Sequence, residues 1–251
     1  MKTIEGETNV DALQDALDKL ASGQEQEIYK AKLALQGIIG TATSPGQEAE
    51  RAKVAAKLSE AVINGGRYGV AARSEIARRL SELGGDAEAT TLRSLLVDFD
   101  MREAARFALD RITTPGATAA LVDASKDAIG DRFRTGIMNA LGQREGAGVI
   151  EALVAGTKDP EAEVRLAAIE ALAEHADAAS DPAIVAAMGD QAVPLGDRGL
   201  SRACKARLRL ARNLVAANQK AEAKKIYQSV LADKPAAPQA KAAQAGLDAI
   251  G

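Results

Sequence analysis

The sequence predicts an all-α protein, a right-handed α-solenoid of stacked antiparallel helix pairs. Three observations predict it. The 251 residues are rich in alanine and hold three Phe, three Tyr and no Trp, so small and aliphatic side chains have to close the core. That composition suits helices packed at short distance. Apolar runs with a period of two, the mark of strands, are missing. The third observation is a repeat: "RRLSELG" (78–84), "FALDRI" (107–112), "MNALGQ" (138–143) and "IEALAE" (169–174). Aligning Leu80, Leu109, Leu141 and Leu172 gives separations of 29, 32 and 31 residues, and the residue seven before each is Arg73, Arg102, Arg134 and Arg165.

The elements follow in order. Residues 1–65 read as capping helices with a polar outer face: "VDALQDALDKLAS", "EIYKAKLALQGII", and a third helix over 47–63, broken at "TATSPG" (41–46) and "NGGRYG" (64–69). Residues 66–192 hold the repeats, two helices each. The first helices carry Leu92 and Leu95, Leu121 and Val122, then Ile150 and Leu153; the second carry the arginine and the Ala-Leu phrase. Ser44-Pro45, Thr114-Pro115, Asp159-Pro160 and Asp181-Pro182 read as an N-cap followed by Pro at the first helical position. One such hairpin cannot bury its apolar face alone, and stacking buries it along a continuous core. After a kink at "DQAVPLGDRG" (190–199), residues 193–251 supply a basic helix and a closing hairpin.

"DPEAEVRLAAIEALAE" (159–174) is similar to the second-helix motif of HEAT repeats, the short kind also found in phycobilisome lyases, with a match over about 66–190. The stretch from "LLVDFDMREAARFALDRITTPGATAALVDA" through "GIMNALGQREGAGVIEALV" resembles HEAT arrays of large multidomain bacterial proteins. "LARNLVAANQKAEAKKIYQSVLADKPAAPQAKAAQAGLDAI" resembles a tetratricopeptide-type (TPR-like) helix pair on Ala221, Tyr227 and Pro235. The resemblance implies a protein–protein interaction or scaffold module, not an enzyme, with no catalytic residues, cofactor or metal. A bilin-lyase role would want a more aromatic pocket.

Arg73, Arg102, Arg134 and Arg165 fall early in their helices, where the helix dipole disfavours a cation. Nearby carboxylates would offset this: Asp159 for the clearest repeat, with Asp127, Asp98 and Asp100 for the others. The result is a structural ladder of charge-assisted hydrogen bonds; the other reading is a row of anion-binding arginines. Two positions before the leucines stand Arg78, Phe107, Asn139 and Glu170, and four residues on come Glu82, Arg111, Gln143 and Glu174. This polar column is the candidate inner surface, and its mixed signs suit a protein or peptide partner. Phe107 is either an exposed hot spot or turns inward against Phe99 or Phe133.

The most uneven charge is "RGLSRACKARLRLAR" (198–212). Arg198, Arg202, Lys205, Arg209 and Arg212 follow steps of four, three, four and three, and so share one stripe, with Arg207 off it. Leu200, Cys204, Leu208, Ala211 and Val215 make an apolar stripe. The basic stripe is either paired with carboxylates of an adjacent helix or free to bind anions. In the second case the chain would be a nucleic-acid-binding solenoid, although no aromatics are interleaved for stacking.

The remaining features are bland. The formal charge of −3 carries no polyanion signature, and no apolar run reaches the roughly 18 residues of a membrane span. "MKTIEGETNVDAL" lacks the apolar core of a secretory signal, so a cytoplasmic protein is expected. One cysteine, Cys204, precludes an intrachain disulfide and reads as buried filler. His175, the one histidine, reads as a partner of the last carbonyls of its helix. "GQREGAG" (142–148) reads as a turn between helices, since a dinucleotide loop needs a preceding strand.

Overall fold

The computed structural model describes residues 9–190 and 192–251. Residues 1–8, the first part of "MKTIEGETNVDAL", and Gln191 within the 190–199 kink lie outside the described residues. All regular structure among the described residues is helical. The elements are α1 (Asn9–Leu20), α2 (Glu25–Ala42), α3 (Glu48–Ile63), α4 (Val70–Leu83), α5 (Asp86–Ser94), α6 (Arg102–Arg111) and α7 (Pro115–Asp127). They continue with α8 (Asp131–Leu141), α9 (Val149–Gly156), α10 (Ala162–Leu172), α11 (Asp181–Gly189), α12 (Gly196–Ala216), α13 (Lys220–Ala232) and α14 (Ala237–Ile250); a 3₁₀ turn, Ala178–Ser180, precedes α11.

The chain forms two compact units, Met1–Ala120 and Leu121–Gly251, and the division runs through α7. In the first, α1 packs on α2 and α3, α3 on α4, and α4 on α5 and α6. In the second, α10 packs on α8, α9 and α12, and α12 packs on α11, α13 and α14. Second helices of the repeat therefore rest on second helices within each unit: α4 on α6, and α8 on α10 on α12. The aligned leucines Leu80, Leu109, Leu141 and Leu172 are fully buried, as are Leu92, Leu121 and Leu153 of the first helices. Val149 takes the buried place expected for Ile150, which is half-buried.

The scarcity of aromatics has a geometric cause. A methyl group at Gly142 would stand 2.8 Å from the Ala171 Cβ, and one at Gly156 would stand 2.4 Å from the Met138 sulfur. The helices α8, α9 and α10 meet where side chains are smallest. Helix α10 is buried almost all round, from Val164 to Ile169, which is why its sequence has so weak a polar face. In α13 and α14, the Tyr227 ring lies over Gly246, where a Cβ would come within 2.3 Å of Cζ.

Several helix starts differ from expectation. Thr114-Pro115 does begin α7, with Thr114 Oγ1 accepting from the Ala117 N–H at 3.4 Å. Asp181 is itself the first residue of α11, and Ser180 holds the N-cap position without a side-chain capping bond. Asp159 and Pro160 stand ahead of α10, whose N-cap is Glu161; the Asp159 carboxylate accepts from the Glu161 N–H at 2.9 Å. Ser44-Pro45 belongs to the end of α2, because the Ser44 hydroxyl donates back to the Gly40 carbonyl at 3.0 Å. The expected polar outer face of the N-terminal helices is broken by Tyr29 and Leu33 of α2, both exposed. Ala221 is exposed too, and Ala223 is the small residue α13 buries.

Replacing Leu141 or Leu172 with Ala is expected to cost about 2–5 kcal/mol in a denaturant titration. Glycines separate by surroundings. Gly37 and Gly40 lie in α2 with open space where a Cβ would go, so Gly37→Ala and Gly40→Ala each gain about 0.5–1 kcal/mol. Gly246→Ala meets the rigid Tyr227 ring and loses about 1–3 kcal/mol. Equal midpoints for the three variants in urea would refute this account.

Candidate functional site

Arginines on the second helices tie each unit together. In the first unit, Arg73 Nε donates to the Val62 carbonyl at 2.7 Å and its Nη2 reaches Asp98 Oδ2 at 3.3 Å. In the second, Arg134 holds Asp159 through Nε–Oδ2 at 2.8 Å and Nη2–Oδ1 at 3.1 Å. Each acid lies 25 residues ahead of its arginine. The Asp159 carboxylate therefore serves Arg134 rather than Arg165. Arg165, 1% exposed, donates to backbone carbonyls instead: Asp159 at 2.6 Å, Pro160 at 3.0 Å, and Val193. Those carbonyls are the unsatisfied groups of irregular segments, and a guanidinium meets three of them at once. The Arg102 guanidinium lies 4.4 Å over the Phe99 ring. Burial of Arg73 and Arg165 corrects the reading of these arginines as an anion-binding row.

A fifth arginine extends the series. Arg207, also 1% exposed, binds both Asp181 oxygens at 2.7 and 3.0 Å, Asp233 at 2.8 Å and the Ser229 hydroxyl at 2.8 Å. It stands seven residues before the fully buried Leu214, the same spacing as in the repeats. That spacing was the available signal. It is masked by the step from Leu172, which is longer because Arg207 stands midway along the 21-residue α12 rather than in its first turn, and by the surrounding basic residues.

The basic stripe itself splits in two. Arg202 bonds Glu170 through Nε and Nη2 at 2.9 and 3.0 Å and Glu163 through Nη1 at 2.9 Å. Arg209 reaches Glu174 at 2.6 Å and the Glu170 carbonyl at 3.3 Å. Arg198, Lys205 and Arg212 are exposed. On the apolar stripe, Cys204, Leu208 and Ala211 are buried, whereas Leu200 lies at the surface.

The polar column faces outward. In the first unit Arg78, Phe107 and Arg111 are exposed on α4 and α6. Arg78 pairs with Glu75 at 2.9 Å, Arg111 donates to the Ser81 hydroxyl at 3.2 Å, and Glu82 is held by Arg79 at 3.1 Å. Phe107 is 48% exposed, which corrects its packing against Phe99 or Phe133. The buried face of α6 is Ala105, Ala108 and Leu109, and residue 107 points away from it. Phe99 is exposed as well, whereas Phe133 is core. In the second unit the column closes into a depression of about 320 Å³ lined by Asn139, Gly142, Gln143, Glu170, Ala171, Glu174 and Arg209. Asn139 near the end of α8 and Gln143 in the turn after it thus bring two amides opposite the carboxylates of Glu170 and Glu174 and the guanidinium of Arg209.

His175 Nε2 is buried without a hydrogen-bond partner rather than bonded to the last carbonyls of α10. Side chains of α12 and its end hold the segment that follows α10: Asn213 donates to the Ala173 carbonyl at 2.8 Å and Gln219 to that of Ala176 at 3.1 Å. Burial pushes the Cys204 thiol and the Tyr227 phenol above their ordinary values. The segment "GQREGAG" is the turn from α8 to α9, with Gly148 left-handed at φ 81°. Among the described residues no group of three His, Cys, Asp or Glu could hold a metal ion, and no helix is long and apolar enough to cross a membrane.

No family model matches the chain, and no curated protein matches its sequence. Solved structures similar to it include human deoxyhypusine hydroxylase in complex with glycerol, at 17% identity over 96% of both chains with a TM-score of 0.38. Two engineered proteins are also similar: one at 19% identity, TM-score 0.40, covering 96% of this chain and 79% of that one. The other is at 20% identity, TM-score 0.27, covering 96% of both. The hydroxylase is an enzyme, so the expectation that this chain is not one is withdrawn; at these scores the likeness assigns it no activity.

Arg207→Ala strands the partly buried Asp181 beside a second carboxylate. Loss of a buried ion-pair partner costs about 3–5 kcal/mol, and the half-exposed Asp233 keeps the loss near the lower end. A midpoint in urea within error of the wild type would contradict the role given to this arginine. With Cys204 and Tyr227 protonated to higher pH when folded, the unfolded chain releases protons first. Their contribution is thus intact at neutral pH and is lost as pH rises past the ordinary values of 9.0 and 10.0. Unfolding titrations on the wild type and on Cys204→Ala check this: the variant has the shallower alkaline decline.

Proposed function

We propose that the chain is a HEAT-type helical repeat, closed by a TPR-like pair, that binds a protein or peptide partner on the polar faces of its second helices. The observation that carries the reading is the column itself. Residues at equivalent repeat positions, Arg78, Phe107 and Asn139, are exposed on helices whose neighbouring positions are buried. In the first unit the half-exposed Phe107 ring, with Arg78 and Arg111 on the same column, offers an apolar anchor beside charge; in the second, Asn139 and Gln143 with Glu170 and Glu174 offer hydrogen bonds to a peptide. Interface hot spots favour an aromatic ringed by polar groups.

Capture from the source lysate, with and without nuclease, tests this. A protein partner that survives nuclease is expected. Phe107→Ala, and separately Asn139→Ala with Gln143→Ala, should each weaken its capture while leaving the melting temperature near the wild-type value. Retention of every captured protein by both variants would defeat the proposal.

A further inference from the structure

Helix α12 carries a face that the packing leaves open. Helices α10, α11, α13 and α14 lie against it elsewhere. On the open face Arg198, Lys205 and Arg212 are exposed and stand seven residues apart. Two helical turns separate each from the next, so they form a single line with about 10 Å between positions. Arg202 and Arg209, one step round the helix, are already matched by Glu163, Glu170 and Glu174. Arg198 and Lys205 make no hydrogen bond or ion pair among the described residues, and Arg212 acts only through its field on the Tyr227 phenol.

Resting on the reading of this chain as a partner-binding module, we propose that the row docks an acidic helix of the partner, one whose carboxylates recur every seven residues. The rise per residue is the same in both helices, so a helix laid along α12 presents one carboxylate to each cation without adjustment. A continuous polyanion fits less well. Its charges come every few ångströms along the chain, and the spare oxygens of Glu163 and Glu174 line the flank where they would fall. A helix places negative charge on the row and none beside it. The contact is exposed and polar, so it sets register and orientation and adds modest affinity.

The probe is a helical Ala-Gln peptide of about 20 residues, long enough to fold, bearing three Glu at every seventh position. Its control is an isomer with the same three Glu at steps of five, which scatters them around the helix. Fluorescence anisotropy at low salt should show the first binding about tenfold tighter than the second. Binding should vanish near 1 M salt, where screening acts within about 3 Å. The Arg198→Gln, Lys205→Gln, Arg212→Gln variant should lose the difference while keeping the wild-type circular dichroism and melting temperature. Lys205→Glu should bind instead a peptide whose central Glu is Lys, which shows that the face is folded and read residue by residue.

Equal affinity for the two peptides, or none for either, overturns the proposal. So does tighter binding of duplex DNA, lost in the triple variant, which would mark a nucleic-acid surface. A partner whose capture falls in Phe107→Ala but persists in the triple variant sinks this inference and leaves the polar column standing. Loss in the triple variant alone does the reverse.

Discussion

The arrangement depends on guanidinium groups buried where irregular backbone meets the second helices. Arg165 shows the constraint most plainly. The segments before α10 and before α12 carry carbonyls that no helix satisfies, and an unpaired buried carbonyl is costly. One planar group with five donors reaches both segments and fixes their separation. Arg207 does the same with carboxylates from α11 and the end of α13. The apolar core sets how closely helices approach, and the arginines set which turn of one helix faces which loop of the next.

Small residues supply the other half. With Gly142, Ala171, Gly156 and Ala168 at the crossings of α8, α9 and α10, backbones come close enough that a single methyl group is felt. Dispersion then comes from many short contacts rather than from large rings. The polar column and the line on α12 are what remains after this packing. They are side chains that point where no neighbouring helix stands.

Much of this was legible in the sequence because the repeat is periodic. The spacing from arginine to leucine located four second helices and their cores, and the two-residue offset from Leu80, Leu109 and Leu141 found an exposed face. What periodicity could not give was direction. Asp159 sits beside Arg165 in sequence, yet its carboxylate turns to Arg134, because a carboxylate at the mouth of one helix faces the helix before it in the stack. Arg207 was hidden among cations that resemble it in composition and differ wholly in burial. Phe107 was ambiguous because a phenyl ring two positions from a leucine suits either face until the neighbour's angle is fixed. The chemistry of the partner lay beyond reach, since exposed residues are constrained by something outside the chain.

The forward reach of each pair has a genetic consequence. Arg73 with Asp98, and Arg134 with Asp159, each span 25 residues across the joint between one repeat and the next. Duplicating a stretch of one repeat's length across such a joint gives the copied arginine a copied acid of the same kind in the same place. A cut of any other length leaves a cation and a carboxylate without their mates at the junction. Lineages of this architecture can therefore lengthen or shorten by whole repeats at little cost, wherever in the repeat the boundaries fall, so long as the length is kept.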